Sequence, residues 1–192
     1  MNIFVLITAV IAYCIGAIPT GYLIAQLKGI ADIRAHGSGN IGATNVSRLL
    51  GLHYFFLTFL LDAGKAFLFI HKASSYFSYE YLYFFASILL CGNGYSLFLR
   101  GSGGKGVATL CGLLLALNIY ITGLLCSIWI VLLIATHTIG IASVGAVIFL
   151  PIFAYTINNT PFFLFSMFAA LWIIRTHRSN LSLYWKLHCL NK

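Results

Sequence analysis

Apolar residues run along this chain in long, nearly uncharged stretches separated by short polar ones. The stretches cover 3–27, 50–71, 81–99, 106–118, 119–136, 141–157 and 161–175. A helix needs roughly 20 apolar residues to cross the hydrocarbon core of a bilayer, so each stretch reads as a membrane helix and the chain as an all-α, polytopic membrane protein. The piece at 106–136 admits two readings. As one helix of about 30 residues it would be about 45 Å long, more than one crossing requires. Broken near Asn118, it becomes two short spans.

The basic residues choose between these readings. Lys28, Arg34 and Arg48 follow the first stretch, Arg100 and Lys105 the third, and Arg175, Arg178, Lys186 and Lys192 the last. Lys72 and Glu80 cancel in the loop at 72–80, and the turn Asn158–Asn159–Thr160 is neutral. With two spans in 106–136 all the strongly basic segments fall on one side, which the positive-inside rule makes cytoplasmic. Seven transmembrane helices are therefore expected, with the N-terminus outside and the C-terminus in the cytoplasm, as a single domain over residues 1–192. The first stretch lacks a basic leader and a small-residue cleavage site, and is read as an anchor rather than a removed signal peptide.

Composition supports this picture. Hydrophobic residues make up 61% of the chain and charged residues 7%, with a mean hydropathy of +0.98. Eleven Lys and Arg stand against three Asp and Glu, a formal charge of +8. Cytoplasmic loops explain part of that excess, and anionic lipid or an anionic substrate is the natural partner for the rest. No soluble basic module is available to present to nucleic acid. Cys14, Cys91, Cys111, Cys126 and Cys189 show no metal-ligand spacing; they read as small buried hydrophobes, and no metal or cofactor is expected.

Against this apolar background two polar, glycine-rich segments stand out. The first is HGSGNIGATNVSR, His36 to Arg48. Gly37, Gly39 and Gly42 permit backbone angles closed to other residues, so successive N–H groups can turn toward an anion and form a nest. Ser38, Asn40, Thr44 and Asn45 add neutral donors, and Arg48 adds a forked cation suited to phosphate. The plainer alternative is a flexible linker or a small-residue helix contact. The second segment is RGSGGKGVAT, Arg100 to Thr109. Gly106 rather than Ser or Thr follows Lys105, and an apolar helix rather than a strand precedes the segment, so it is no nucleotide-hydrolysing P-loop. Gly103, Gly104 and Lys105 at the start of a helix still make a phosphate site, because a helix N-terminus carries free donors and positive partial charge. A tight cytoplasmic turn with a routine lysine is the alternative.

Three further features bear on chemistry. In THRSN, Thr176 to Asn180, His177 can exchange a proton near neutral pH, although a lone His at a membrane boundary is often incidental. Asp62 and Lys65 lie one helical turn apart in LLDAGKAF and can pair; ionisable groups at that depth mark a function or a structural ion pair. Asp32, two residues before Arg34, either orients the first loop or is an ordinary surface charge. No Ser–His–Asp order, carboxylate pair or metal cluster emerges. The chain offers anion holders and few nucleophiles, which points to reaction between two bound anions with rate supplied by orientation and charge neutralisation.

In this order the segments resemble the PlsY family of bacterial membrane glycerol-3-phosphate acyltransferases. YCIGAIPTGYLIAQL is similar to the family's opening helix, DIRAHGSGNIGATNVSRLLG to its first motif, LDAGKA to its Asp-x-x-Lys-Gly, GNGYSLFLRGSGGKGVAT to its second motif, THTIGIASVGAVIFLP to its third and HRSNL to its tail. The resemblance implies seven helices in a bacterial inner membrane and an active site at the cytoplasmic face. It implies acyl transfer from acyl phosphate to the 1-hydroxyl of sn-glycerol 3-phosphate, giving lysophosphatidate and phosphate without an acyl-enzyme. By position, Gly37–Asn45 would hold the acyl phosphate, with Ser38, Thr44 and Asn45 as donors; Arg48 and Lys105 would bind phosphate and steady the transition state. His177 and Asn180 would position glycerol 3-phosphate, with the leaving phosphate or His177 taking the hydroxyl proton, and Asn93 and Ser143 would join the binding set. The acyl chain would lie among membrane lipid. The chain departs from the family pattern at Asn93 and Ser102, where the second motif has His and a basic residue, at Ser96 for proline, at Gly140 for serine, at His137 for Arg, and at Leu183 for Arg. Two other readings use the same residues: a divergent relative with a changed acceptor or lost activity, and a small anion transporter.

Overall fold

Residues 2–189 are described in a computed structural model, and among them every regular element is helical. Lys192, counted above in the basic tail, lies outside the described residues, as does the side chain of Cys189. The chain forms two compact units, the first ending at Leu117 and the second beginning at Asn118.

The first unit contains α1 (Ile3–Ala17), α2 (Thr20–Leu27), α3 (Ala43–Leu50), α4 (Leu52–Ala73), α5 (Tyr79–Gly94) and α6 (Val107–Leu117). Glycines set its close helix contacts. A Cβ on Gly16 of α1 would strike the Leu89 carbonyl of α5, one on Gly92 of α5 would strike the Tyr13 carbonyl of α1, and one on Gly112 of α6 would strike the Ala63 carbonyl of α4. This small-residue packing lets backbones touch where apolar side chains gain little by leaving lipid. The stretch expected as one helix over 3–27 is interrupted after Ala17, because Pro19 has no N–H to continue the ladder. The expected loop before α4 contains a helix of its own, α3, ended by Gly51 at φ 96°. The stretch expected to run to residue 99 leaves the α-helix at Gly94 and continues as a 3₁₀ turn at Leu97–Leu99.

The second unit contains α7 (Ile119–Thr136), α8 (Ile139–Thr156), α9 (Thr160–Thr176) and α10 (Arg178–Cys189). The break expected near Asn118 is present. Its side chain accepts from the Ile121 N–H at 3.0 Å and its carbonyl from the Thr122 hydroxyl at 2.9 Å, an N-cap that stops α6 and α7 from fusing. Asn159 caps α9 in the same way, accepting from Phe162 N–H at 2.9 Å. The tail expected after residue 175 is helical as α10, which packs on α8 and α9.

Among the described residues, five segments are long and apolar enough to cross a membrane: Ile3–Leu27, Leu52–Ala73, Tyr79–Leu99, Ile119–Thr136 and Ile139–Thr156. Val107–Leu117 and Thr160–Thr176 are shorter apolar helices.

Candidate functional site

The first glycine loop is held by its own side chains. Asp32 accepts from the Arg34 N–H at 2.9 Å and pairs with its guanidinium at 2.7 Å. Those bonds hold the Asp32 carboxyl down to about 2. Arg34 sits over the Tyr22 ring and donates to the Leu99 carbonyl at 3.4 Å. Asn45, 1% exposed, is the hub. Its Nδ2 donates to the carbonyls of Asn40 at 2.8 Å, His36 at 3.0 Å and Ile33 at 3.4 Å, and its Oδ1 accepts from Ser38 N–H at 2.8 Å. Gly37, at φ 58°, lies so close to this amide that a Cβ would strike Asn45 Oδ1. Asn40 Oδ1 accepts from Gly42 N–H at 2.8 Å, and Gly39 N–H donates to His36 O at 3.0 Å.

The expected nest is therefore built differently. The amides of Ser38, Gly39 and Gly42 close the loop on itself. Asn45, expected among the ligand donors, braces the loop from inside. The loop leaves two kinds of group for an anion. Ser38 and Arg48 are exposed. The first amides of α3, from Ala43 and Thr44, have no intrahelical acceptor by helix geometry, and Gly42 has no side chain to cap them.

The second loop is held mostly by backbone. Gly104 N–H donates to Asn93 O at 2.8 Å, and Gly101 N–H to Ser96 O at 2.8 Å. Gly103 is pressed against the chain, since a Cβ there would strike the carbonyls of Asn93 and Gly94. Asn93 is buried, and its Oδ1 has no hydrogen-bond partner among the described residues. Gly106, at φ 91°, leads into α6, whose first turn holds no acid.

The two loops meet: Asn40 Nδ2 donates to Gly103 O at 3.3 Å. The first brings Arg48, and the second brings Lys105 with Arg100 at its start. Burial pushes the Lys105 ammonium below its usual range, and the nearby positive charge of Arg48 lowers it further. Two like charges within electrostatic reach at joined loops favour an anion between them. The described ion pairs are Asp32–Arg34 and Asp62–Lys65, and Arg48 belongs to neither. No cluster of metal-binding side chains occurs among the described residues.

The remaining predicted residues lie in the second unit. His177 is 4% exposed and ends α9, its Nδ1 2.9 Å from Ile173 O. Asn180 packs against Gly140, where a Cβ would strike its Nδ2. Ser143 is a helix tie, donating to Ile139 O at 2.8 Å and accepting from Trp129 Nε1 at 3.1 Å. Sequence reasoning missed Arg34 as a link to the second loop and the carbonyl of Asn93 as its anchor. Backbone carbonyls leave no residue-type signal, and the Arg34 link depends on where Leu99 lies.

Comparison with known proteins shows the family. The family model described as glycerol-3-phosphate acyltransferase matches residues 6–186. The glycerol-3-phosphate acyltransferase of Prochlorococcus marinus (strain MIT 9515) is 33% identical over 180 residues, covering 92% of this chain and 91% of the relative. That of Desulforudis audaxviator (strain MP104C) is 38% identical over 176 residues, covering 89% and 87%. Among solved structures, PlsY (YgiH), an integral membrane glycerol 3-phosphate acyltransferase, is similar in its glycerol 3-phosphate form, with a TM-score of 0.88 and 32% identity over 93% of this chain and 90% of that one. Its lysophosphatidic acid form gives a TM-score of 0.86 and 31% identity over the same shares.

Proposed function

The chain belongs to the glycerol-3-phosphate acyltransferase family, and from that premise we propose that it transfers an acyl group from acyl phosphate to the 1-hydroxyl of sn-glycerol 3-phosphate. The observation that carries this reading is the junction of two glycine loops through Asn40 and Gly103, with Arg48 on the first loop and Lys105 on the second. The hydroxyl oxygen attacks the acyl carbonyl carbon. The bond from that carbon to the phosphate oxygen breaks, giving lysophosphatidate and phosphate, and the hydroxyl proton passes to the leaving phosphate or to His177. Negative charge grows on the carbonyl oxygen and on the phosphate, where Arg48, Lys105 and the hydroxyls of Ser38 and Thr44 lower the barrier by standing ready. Gly37, Gly39, Gly42, Gly103 and Gly104 keep the binding role that the resemblance implies by letting the two loops fold tightly behind the phosphate, and Asn93 contributes its buried amide. His177 and Asn180 keep the acceptor-binding role that the resemblance implies. No side chain need be acylated, because two held reactants already gain the advantage of proximity.

Seven crossings of a bacterial inner membrane, with the basic segments cytoplasmic, belong to the same proposal. The five long apolar segments and two shorter apolar helices among the described residues support it. At 11 residues, α6 spans about 16 Å, less than the full hydrocarbon thickness. The transport alternative draws on Asp62 and Lys65, and both side chains are engaged with neighbouring helices.

The test is turnover by purified protein. Phosphate release from acyl phosphate that depends on glycerol 3-phosphate, with lysophosphatidate formed in equal amount, is expected; acceptor-independent release or none overturns the proposal. Acyl-CoA and acyl carrier protein as donors should give no product, and product from either overturns the donor assignment.

A further inference from the structure

The interruption between α1 and α2 lies inside an apolar segment, where loose carbonyls would find no water. Each of the three carbonyls before Pro19 is met by a side chain from another part of the first unit. Lys65 Nζ donates to Gly16 O at 3.1 Å and Ile18 O at 2.7 Å, and Ser96 Oγ donates to Ala17 O at 2.6 Å. Asp62 completes the set: its Oδ1 lies 2.8 Å from Lys65 Nζ and accepts from the hydroxyl of Thr20, the first residue of α2, at 2.6 Å. An ammonium has three protons, and here two carbonyls and one carboxylate take them. Lys65 is thereby occupied as a fixed cation within the fold.

What hangs from this break is the cradle. Next to Thr20, Gly21 is pressed on the first loop: a Cβ there would strike Ile41 O and lie 3.0 Å from Val46 Cγ2. Ile24 and Ala25 of α2 share a buried cluster with Ile33, Ile41, Val46 and Leu99, the apolar floor of that loop. Ser96, on the other side, begins the second loop and accepts from Gly101 N–H through its carbonyl. One break in one helix therefore bears both loops.

We propose that Lys65, Asp62 and Ser96 are positioning residues that lock the α1–α2 break and so set the two phosphate-binding loops in register. The proposal rests on the reading of those loops as an anion cradle. It differs from a plain ion pair, in which Asp62 and Lys65 merely neutralise each other within the membrane. A plain pair is rescued by removing both charges. A carbonyl lock is not, because Gly16 O loses its side-chain donor and Ile18 O keeps only the Thr20 N–H.

The experiment combines amide hydrogen exchange of the full-length protein in detergent with calorimetric binding of inorganic phosphate and with acyl-transfer kinetics. Lys65→Met should speed exchange in both loops, 36–46 and 100–106, on the order of 10-fold, with residues 119–176 unchanged. Phosphate should bind about 10-fold more weakly, and KM for glycerol 3-phosphate should rise more than kcat falls. Lys65→Arg should recover to within about threefold, since it keeps donors for the carbonyls. Asp62→Leu combined with Lys65→Met should be no better than Lys65→Met alone. Uniform acceleration across the chain, acceleration outside the loops only, or recovery in the double variant overturns the proposal. If Lys65→Met does not fold, Ser96→Ala serves: it removes one hydroxyl, and unchanged exchange at 100–106 overturns the proposal equally. A wild-type protein without acyl transfer defeats the functional reading, while the exchange and phosphate measurements still decide this one.

Discussion

The two glycine loops present similar sequences and are held by different means. In the first, side chains do the holding: Asn45 gathers three carbonyls and one N–H, Asn40 closes an adjacent turn, and Asp32 clasps Arg34. In the second, backbone holds backbone, through Gly104 to Asn93 and Gly101 to Ser96, with Gly103 packed too tightly to carry a Cβ. A glycine-rich motif therefore does not name one structural device. In the first loop the critical residue is a buried amide with four bonds. In the second it is the absence of a side chain.

The largest effect expected is one both loops share. Arg48→Ala and Lys105→Ala should each lower kcat/KM on the order of 100-fold, the scale of a lost transition-state donor. A much smaller loss from one would show that only the other loop handles charge. The two loops should part company next. Gly103→Ala forces backbone atoms aside and should abolish phosphate binding, whereas Gly101→Ala, at φ 83° with open space around it, should cost only about 1 kcal/mol of strain, read as a modest drop in Tm. For the first loop, Asn45→Ala should remove about 3 kcal/mol of stability by leaving buried carbonyls unpaired. Asn45→Asp should be no milder, because a carboxylate would face those same carbonyls.

Smaller pH effects complete the series. Lys105 must be charged to hold an anion, and its depressed pKa means that phosphate affinity should begin to fall at a pH below the ordinary lysine value of 10.5. Protein without ligand should gain stability over the same interval, since the unfolded chain binds the proton more tightly there. Phosphate titrations at pH values rising to 10.5 check the first sign, and thermal unfolding without phosphate over the same interval checks the second. Asp32 titrates oppositely: its carboxyl is held at about 2 against an ordinary 3.8. Its contribution to first-loop order is complete above about pH 4 and is lost as pH falls toward 2, a small effect at an exposed pair, readable as faster exchange at Arg34 N–H.

Much of this was legible in the chain. Apolar stretches and helices agree within about two residues at most ends, because transfer into hydrocarbon is a local property of composition. The break near Asn118 was legible from length and charge, and the cap that makes it came from the structure. The interruption at Pro19 was missed because the residues on both sides are equally apolar and the stretch is long enough for one helix. Its stability comes from Lys65 and Ser96, 47 to 79 residues away in sequence. For Asn45 the residue type was read correctly as a strong hydrogen-bonding group, and its direction was not, since an amide serves a ligand or a loop with equal chemistry. Burial alone separates the two.

By itself the sequence determined that the chain is helical, belongs in a membrane, and carries two glycine loops that both hold basic residues, because composition and helix-breaking residues act over one or two turns. Only the tertiary structure decided that the loops join, through Asn40 to Gly103 and Arg34 to Leu99, pairs 63 and 65 residues apart. It also decided which loop amides turn inward. A hydrogen bond needs its partner within about 3.5 Å, and no local pattern states which distant carbonyl will arrive there.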